Sequence, residues 1–219
     1  MIRGGKMKIA ASFLGSENIP LVLEKLNITD IDYIHVDVMD GKYVKNKTMS
    51  LKDLASIPMF TRKRLDVHLM VEKPLKYINT LVNLNVEYID IHINIKDNID
   101  KVIKKCKDYG IKVGLVINPD QNIEEIYDYL DKINLILVMS VVPGRGGQEF
   151  IPETFEKINK LKDEIKRRKV NVLINVDGGI NFLNAKDLKN ADILVSGSTI
   201  IKSDNYQDTI TKLRKCASR

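Results

Sequence analysis

Apolar residues along the chain fall into short runs rich in β-branched side chains, separated by longer stretches with helical spacing. The runs at 8–13, 33–38, 65–70, 88–93, 112–117, 135–141, 170–176 and 193–196 read as strands. Between most of them, over 19–26, 75–84, 99–109 and 155–168, apolar positions recur every three or four residues and line one face of a helix. Residues 42–50 read as a long loop and 51–56 as a short helix. About eight strand-then-helix units in 219 residues come close to the ~250 residues typical of a (β/α)8 barrel. The alternation also fits an open doubly wound sheet, which for nucleotide binding needs a glycine-rich turn after its first strand. That turn, Ser12-Phe13-Leu14-Gly15-Ser16, has one glycine; the glycines gather after strands six, seven and eight, where a barrel keeps its phosphate site. The expected fold is therefore an α/β single-domain TIM (β/α)8 barrel over residues 7–219, preceded by a flexible leader at 1–6.

Composition narrows the class. With 44% hydrophobic and 29% charged residues, disorder of the whole chain is excluded. The net charge of +6 allows a nucleic-acid surface and equally an enzyme that attracts small phosphorylated anions. The basic run 166–169 closes a predicted helix, where cations suit the dipole, and no aromatic residues interleave with it, which disfavours nucleic acid. Cys106 and Cys216 lie far apart and read as reduced cytosolic thiols. The apolar run 135–142 contains Ser140, stops at Pro143-Gly144 and falls short of the roughly 18 residues of a membrane span. The opening MIRGGKMKIAASFLG sets basic residues before an apolar stretch at the bottom of the roughly 7–15 residues of a signal peptide. A cytoplasmic protein with no membrane partner is expected.

Polar residues interrupt the strands in a repeated way. His35 and Asp37 flank Val36 on strand two, Asp66 and His68 flank Val67 on strand three, and strand seven ends Asn175-Val176-Asp177. Side chains two apart share a face, and in a barrel these strand ends converge on one axial mouth. Two imidazoles and two carboxylates meeting there make a four-ligand N/O site suited to Zn²⁺, Fe²⁺, Mn²⁺ or Co²⁺. One histidine alone reads as a hydrogen-bonded core residue, but an unpaired aspartate at the end of an apolar strand is costly to bury. Two such aspartates, each near a histidine, tip the reading towards a site. For the third histidine, His92, the neighbours Asp90 and Asn94 could simply satisfy it.

The glycine groups form a second constellation. Pro143-Gly144-Arg145-Gly146-Gly147-Gln148 follows strand six, Asp177-Gly178-Gly179 strand seven and Gly197-Ser198 strand eight. Each alone is turn chemistry; three consecutive loops of this kind point to backbone N–H groups that cradle a phosphate. Gly146, Gly147, Gly179 and Ser198 are expected to offer amides, while Arg145 either adds a charge contact or points to solvent. Met39, Met70 and Met139 lie at or near strand ends. Methionines ordinarily fill cores, but at one mouth these three would form an apolar lid over a reacting carbon.

The blocks IHVDVMDG (34–41), LDVHLMVEKP (65–74), VMSVVPGRGGQEFIP (138–152), VDGGI (176–180) and VSGS (195–198) resemble the ribulose-phosphate 3-epimerase family in order and spacing. The resemblance implies a TIM barrel that interconverts D-ribulose 5-phosphate and D-xylulose 5-phosphate in the pentose phosphate pathway. It assigns one divalent metal, zinc first among the candidates, to His35, Asp37, His68 and Asp177. It gives substrate contacts to Ser12, His68 and Asp177, and the phosphate loops to Gly144–Gly147, Gly178–Gly179 and Gly197–Ser198. Inverting C3 beside the C2 ketone needs a proton removed from one face and returned to the other. The resemblance assigns those two roles to Asp37 and Asp177, working through a 2,3-enediolate, and implies a homo-oligomer. A 3-epimerase of a ketohexose 6-phosphate and a noncatalytic sugar-phosphate-binding barrel are the competing readings.

Overall fold

The computed structural model describes residues 6–218; the leader expected at 1–6 lies, apart from Lys6, outside the described residues. The strands β1 (Lys8–Ser12), β2 (Tyr33–Met39), β3 (Leu65–Met70), β4 (Val86–His92), β5 (Lys112–Ile117), β6 (Leu135–Met139), β7 (Leu173–Asp177) and β8 (Ile193–Ser196) are all parallel. They close into a barrel in sequence order, the TIM-barrel topology expected.

The helices that wrap it are α1 (Ile19–Asn27), α2 (Leu51–Ser56), α3 (Leu75–Leu81), α4 (Ile99–Asp108), α5 (Thr154–Arg168), α6 (Phe182–Ala185), α7 (Ser198–Ile201) and α8 (Tyr206–Ala217). Asparagine starts four of them, Asn181 capping α6 by accepting the N–H of Leu183 at 2.8 Å. Asn18, Asn98 and Asn205 accept the N–H of Leu21, Lys101 and Asp208 at 3.1, 3.0 and 3.1 Å, each a cap of about 1 kcal/mol. The basic end of α5 is a solvated helix terminus as expected, with Arg167 paired to Glu164 at 2.6 Å.

Several boundaries differ from the sequence reading: β1 ends at Ser12, β4 spans Val86–His92, α3 ends at Leu81 and β6 ends at Met139. β7 begins at Leu173, because Lys169 turns left-handed (φ 57°) and the N–H of Val170 bonds back to Ile165 O, so Val170 finishes α5. The unit after β5 carries a 3₁₀ turn, Ile123–Tyr129, in place of an α-helix.

Strand alternation makes two buried faces. Outward residues such as Ile9, Val36, Leu69, Ile91 and Ile174 join helix residues such as Leu23, Ile158, Leu161 and Ile210 in the main core. Inward residues, among them Ala10, Tyr33, Tyr88, Leu137 and Val195, fill the barrel itself, and Tyr33 meets Tyr88 edge to face with centroids 5.7 Å apart. Among the inward positions sit His35, Asp66, His68, Asp90, His92 and Asn175, none of them accessible. No helix among the described residues is long and apolar enough to cross a membrane, and Cys106 and Cys216 are both free.

Asp37, His68, Asp90 and Gly114 are register partners in turn across β2 to β5. A Cβ on Gly114 would lie 1.9 Å from Asp90 Oδ1 and 2.9 Å from Leu135 Cδ2, so the glycine makes room for the buried carboxyl. Gly114→Ala should therefore lower unfolding free energy by about 1–3 kcal/mol through overpacking. Denaturant midpoints check this; an unchanged midpoint would mean that Asp90 has room to move.

Candidate active site

The site forms where the strand ends open. His35 and Asp37 both point inward from β2 because they are two residues apart, and His68 and Asp177 reach them from β3 and β7. His35 Nε2 lies 3.5 Å from Asp37 Oδ1 and 3.6 Å from Asp177 Oδ2, and His68 Nδ1 lies 3.3 and 3.8 Å from the same two oxygens. One ligand atom from each of the four residues lies within 4.8 Å of all the others. The four expected ligands are thus together.

Whether they suit a divalent cation is decided by the donors. His35 Nε2 and His68 Nδ1 are buried without a hydrogen-bond partner, a costly state unless another species uses their lone pairs. Ligands held at about 2.1 Å in a tetrahedron are about 3.4 Å apart, close to the four separations here. The set fits.

Neighbours fix which nitrogen is free. His35 Nδ1 is 2.9 Å from Asp66 Oδ2, which also accepts Asn175 Nδ2 at 3.0 Å. Asp66 therefore holds the His35 proton on Nδ1 and aims Nε2 at the cluster. His68 Nε2 lies 2.9 Å from His92 Nε2. Burial and the adjacent His68 hold His92 well below the usual histidine range, so neutral His92 can accept a hydrogen bond from His68 Nε2, which leaves His68 Nδ1 free. The sequence reading paired His92 with Asp90 and Asn94; the structure replaces them with His68, and Tyr43 stacks over the ring at 4.4 Å.

The charges are unevenly held. Burial opposes ionisation of Asp37, but His35 and His68 outweigh it and keep this carboxyl far below its usual value. Asp177 is pushed up to about 6 by burial, with Asp37 adding repulsion against the pull of His35. Burial likewise disfavours charge on His35, yet Asp37 and Asp66 overcome it and raise its pKa. Ser12 Oγ donates to Asp37 Oδ2 at 2.8 Å, and Ser140 fixes the end of β7 by donating to the carbonyls of Asp177 and Gly178 at 2.9 and 2.6 Å.

Above this floor opens a cavity of about 700 Å³. Ser12, Asp37, Asp177, Met70 and Met139 line its lower part, and Gly144, Arg145, Gly146, Gly147, Gly178, Gly179, Gly197 and Ser198 its rim. Thr199 Oγ1 and Ser196 Oγ both bond Ile180 O, tying the loops after β7 and β8 together. Met39 does not share this cavity; it lines a neighbouring hollow with Asp40, Lys42 and Lys47. Gly179 has φ +63°, and a Cβ there would lie 2.6 Å from Phe150 N, so glycine is required by the protein's own packing before any ligand arrives.

Sequence reasoning had not assigned roles to Asp66, Asn175, His92, Tyr43 or Ser140. Asp66 and Ser140 had a visible signal, since each is a polar residue within an apolar run.

Fold and site together define a TIM-barrel enzyme with its chemistry at the C-terminal ends of the strands. The family described as Ribulose-phosphate 3 epimerase matches residues 8–201. A ribulose-phosphate 3-epimerase of Helicobacter pylori is 39% identical over 210 residues, covering 95% of this chain and 97% of that one. One from Buchnera aphidicola is 43% identical over 188 residues (84% and 82%), and one from Bacillus subtilis 32% over 213 residues (95% and 98%). The chain belongs to the ribulose-phosphate 3 epimerase family, whose members are isomerases of carbohydrate phosphates. Among solved structures, 3-hexulose-6-phosphate synthase from Salmonella typhimurium has a TM-score of 0.67 at 16% identity, covering 96% of this chain and 98% of that one. The tryptophan synthase α subunit of Campylobacter jejuni scores 0.65 at 17% (96% and 95%); both likenesses concern the fold alone.

A cation entering this site displaces a proton from His35 and needs Asp177 ionised, so its affinity should rise with pH, with the Asp177 contribution gained through about 6. Calorimetric titration of the metal-free protein with Zn²⁺ or Mn²⁺ at several pH values reads this directly. Affinity that is flat or falls with rising pH would contradict the ligand set.

Proposed function

We propose that this chain is a metal-dependent D-ribulose 5-phosphate 3-epimerase that forms D-xylulose 5-phosphate, serving the pentose phosphate pathway. The observation that carries the reading is the pair Asp37 and Asp177. They enter one cavity from β2 and β7, on either side of the β1–β8 seam, below a rim of glycine loops. His35, Asp37, His68 and Asp177 would hold the divalent cation, Zn²⁺ first, with Fe²⁺, Mn²⁺ or Co²⁺ also suited to these donors. When bound, the cation polarises the C2 ketone and offsets negative charge on the substrate oxygens.

The protein's own groups then do the proton work. Asp37, ionised in this setting, takes the C3 proton; the C3–H electron pair moves into the C2–C3 bond and the C2 carbonyl pair onto oxygen, giving the 2,3-enediolate. Asp177, reaching the cavity from β7, delivers a proton to the opposite face of C3. As the pair re-forms C3–H the ketone returns, inverted. In reverse the two carboxyls exchange roles. Two carboxyls whose environments drive their pKa values apart suit an acid and a base. Ser12 orients Asp37, and Met70 and Met139 give the cavity apolar walls that exclude water from the enediolate. The phosphate is held at the rim by backbone amides of Gly146, Gly147, Gly179 and Ser198.

The free cysteines are consistent with a cytoplasmic setting. The exposed Ile28 and Met59 lie near the Asn27–Phe60 hydrogen bond and suit an interface in a homo-oligomer.

Epimerisation of ribulose 5-phosphate should exceed that of a 2-ketohexose 6-phosphate and should collapse on chelation. In metal-loaded Asp37→Asn and Asp177→Asn variants, inversion should be nearly abolished, while exchange of the C3 hydrogen with solvent survives for the one epimer whose base remains. Wild-type exchange and inversion in both variants would remove the two aspartates from the mechanism. The rim is tested by Gly146→Ala. Gly146 is not in the left-handed region, and its Cβ would meet nothing nearer than Leu14 O at 3.6 Å. This variant should fold normally and raise KM severalfold by hindering close approach of the phosphate. An unchanged KM would move the phosphate elsewhere.

A further inference from the structure

The segment 42–47 leaves the end of β2 and crosses the mouth of the barrel. Its base is pinned: Thr48 Oγ1 donates to Asp37 O at 2.7 Å and accepts Met39 N at 2.9 Å, and Asp40 pairs with Lys47 in an antiparallel bridge. Tyr43 anchors its middle. Its ring lies on His92, and its hydroxyl donates to Asn94 Oδ1 at 2.6 Å and accepts from Asn118 Nδ2 at 3.3 Å. Beyond Tyr43 the segment reaches the loop that follows β6. A Cβ built on Gly144 would be 3.2 Å from Val44 Cβ, and Asn46 Nδ2 donates to Gly144 O at 2.6 Å. That glycine loop has a staple of its own, Gln148 Nε2 donating to Val142 O and Arg145 O at 2.7 and 2.8 Å. Its tip, Arg145 to Gly147, is exposed.

We propose that Asn46 is a positioning residue that fastens the β6 glycine loop over the substrate phosphate, with Tyr43 anchoring the strap that carries it. The proposal rests on the phosphate reading above. An exposed loop with few buried contacts opens at little cost. Its amides then have to be ordered each time an anion binds, which weakens binding. One hydrogen bond from a strap already fixed to the floor of the site supplies that order in advance. A single side-chain bond to a carbonyl is also weak enough to exchange with water, so the loop can still release product. The strap therefore couples the two halves of the site: β2, which carries Asp37, and the rim that takes the phosphate.

The loop contains its own probe, because trypsin cuts after Arg145 only when this tip is free to open. Asn46→Ala removes the donor, while Asn46→Asp keeps the shape and sets a carboxylate against Gly144 O. Cleavage at Arg145–Gly146, followed by peptide mass, should quicken in the order wild type, Ala, Asp, by about threefold to tenfold overall, the worth of one hydrogen bond. Inorganic phosphate, titrated by calorimetry, should bind more weakly in the same order. KM for ribulose 5-phosphate should rise while kcat changes less, and metal content should stay constant. Equal cleavage and equal phosphate affinity in all three proteins would overturn the proposal and leave the phosphate reading intact. A wild-type protein that binds no phosphate would overturn the phosphate reading, and the strap's role over a ligand with it.

Discussion

The hydrogen bond between His35 Nδ1 and Asp66 Oδ2 is the interaction on which the site's arrangement depends. Both groups are inaccessible inside the barrel, where an unpaired charge is expensive. Asp66 meets the demand in three directions. It accepts a hydrogen bond from His35 Nδ1 and another from Asn175 Nδ2, and lies beside Asp90. Burial and the negative Asp66 push the Asp90 carboxyl well above its usual range, so it stays neutral and adds no second buried charge. Gly114 follows from that choice, since no side chain fits where the Asp90 carboxyl sits. One buried bond thus governs residues on β2, β3, β4, β5 and β7.

The division between floor and rim has a mechanical sense. The floor groups sit on strands paired on both sides, so their directions are fixed by the backbone ladder, which a proton transfer at a single carbon requires. The rim is made of turns, which can open for a ligand to enter. Side chains rather than regular structure hold those turns in place: Ser140 and Thr199 fasten the loops after β7 and β8, and Asn46 and Gln148 the loop after β6.

Much of this could be read from the sequence, for a definite reason. Period-two alternation put His35 beside Asp37 on one face, and the same rule placed Asp66 with His68, so the barrel and its four-residue cluster followed. Register was not available. His35 and Asp66 are partners across β2 and β3, a relation between strands that no single run displays. His92 shows the same gap: its sequence neighbours Asp90 and Asn94 suggested a local partner, but the ring it meets, His68, is on the next strand. Met39 sits at a strand end as Met70 and Met139 do and is the register partner of Met70, yet it is buried and only the other two line the cavity. The start of β7 was placed early because Val170 is apolar and β-branched, whereas it serves to close α5.

The two aspartates are alike in sequence context, each followed within two residues by further polar or glycine positions or Met, and the structure makes them unequal. Asp37 accepts the Ser12 hydroxyl on Oδ2, while Oδ1 lies 3.5 and 3.3 Å from the two imidazoles. Asp177 is nearer solvent, 15% exposed, and lies farther from both imidazoles at 3.6 and 3.8 Å. With weaker partners, burial dominates and its proton is held more tightly. That inequality comes from burial and from the distances to the two histidines, not from the aspartates' own chemistry. Whatever alters the charge on His35 or His68 therefore shifts the balance between the two carboxyls, so the electrostatics of the cavity floor are set by residues beneath and beside it.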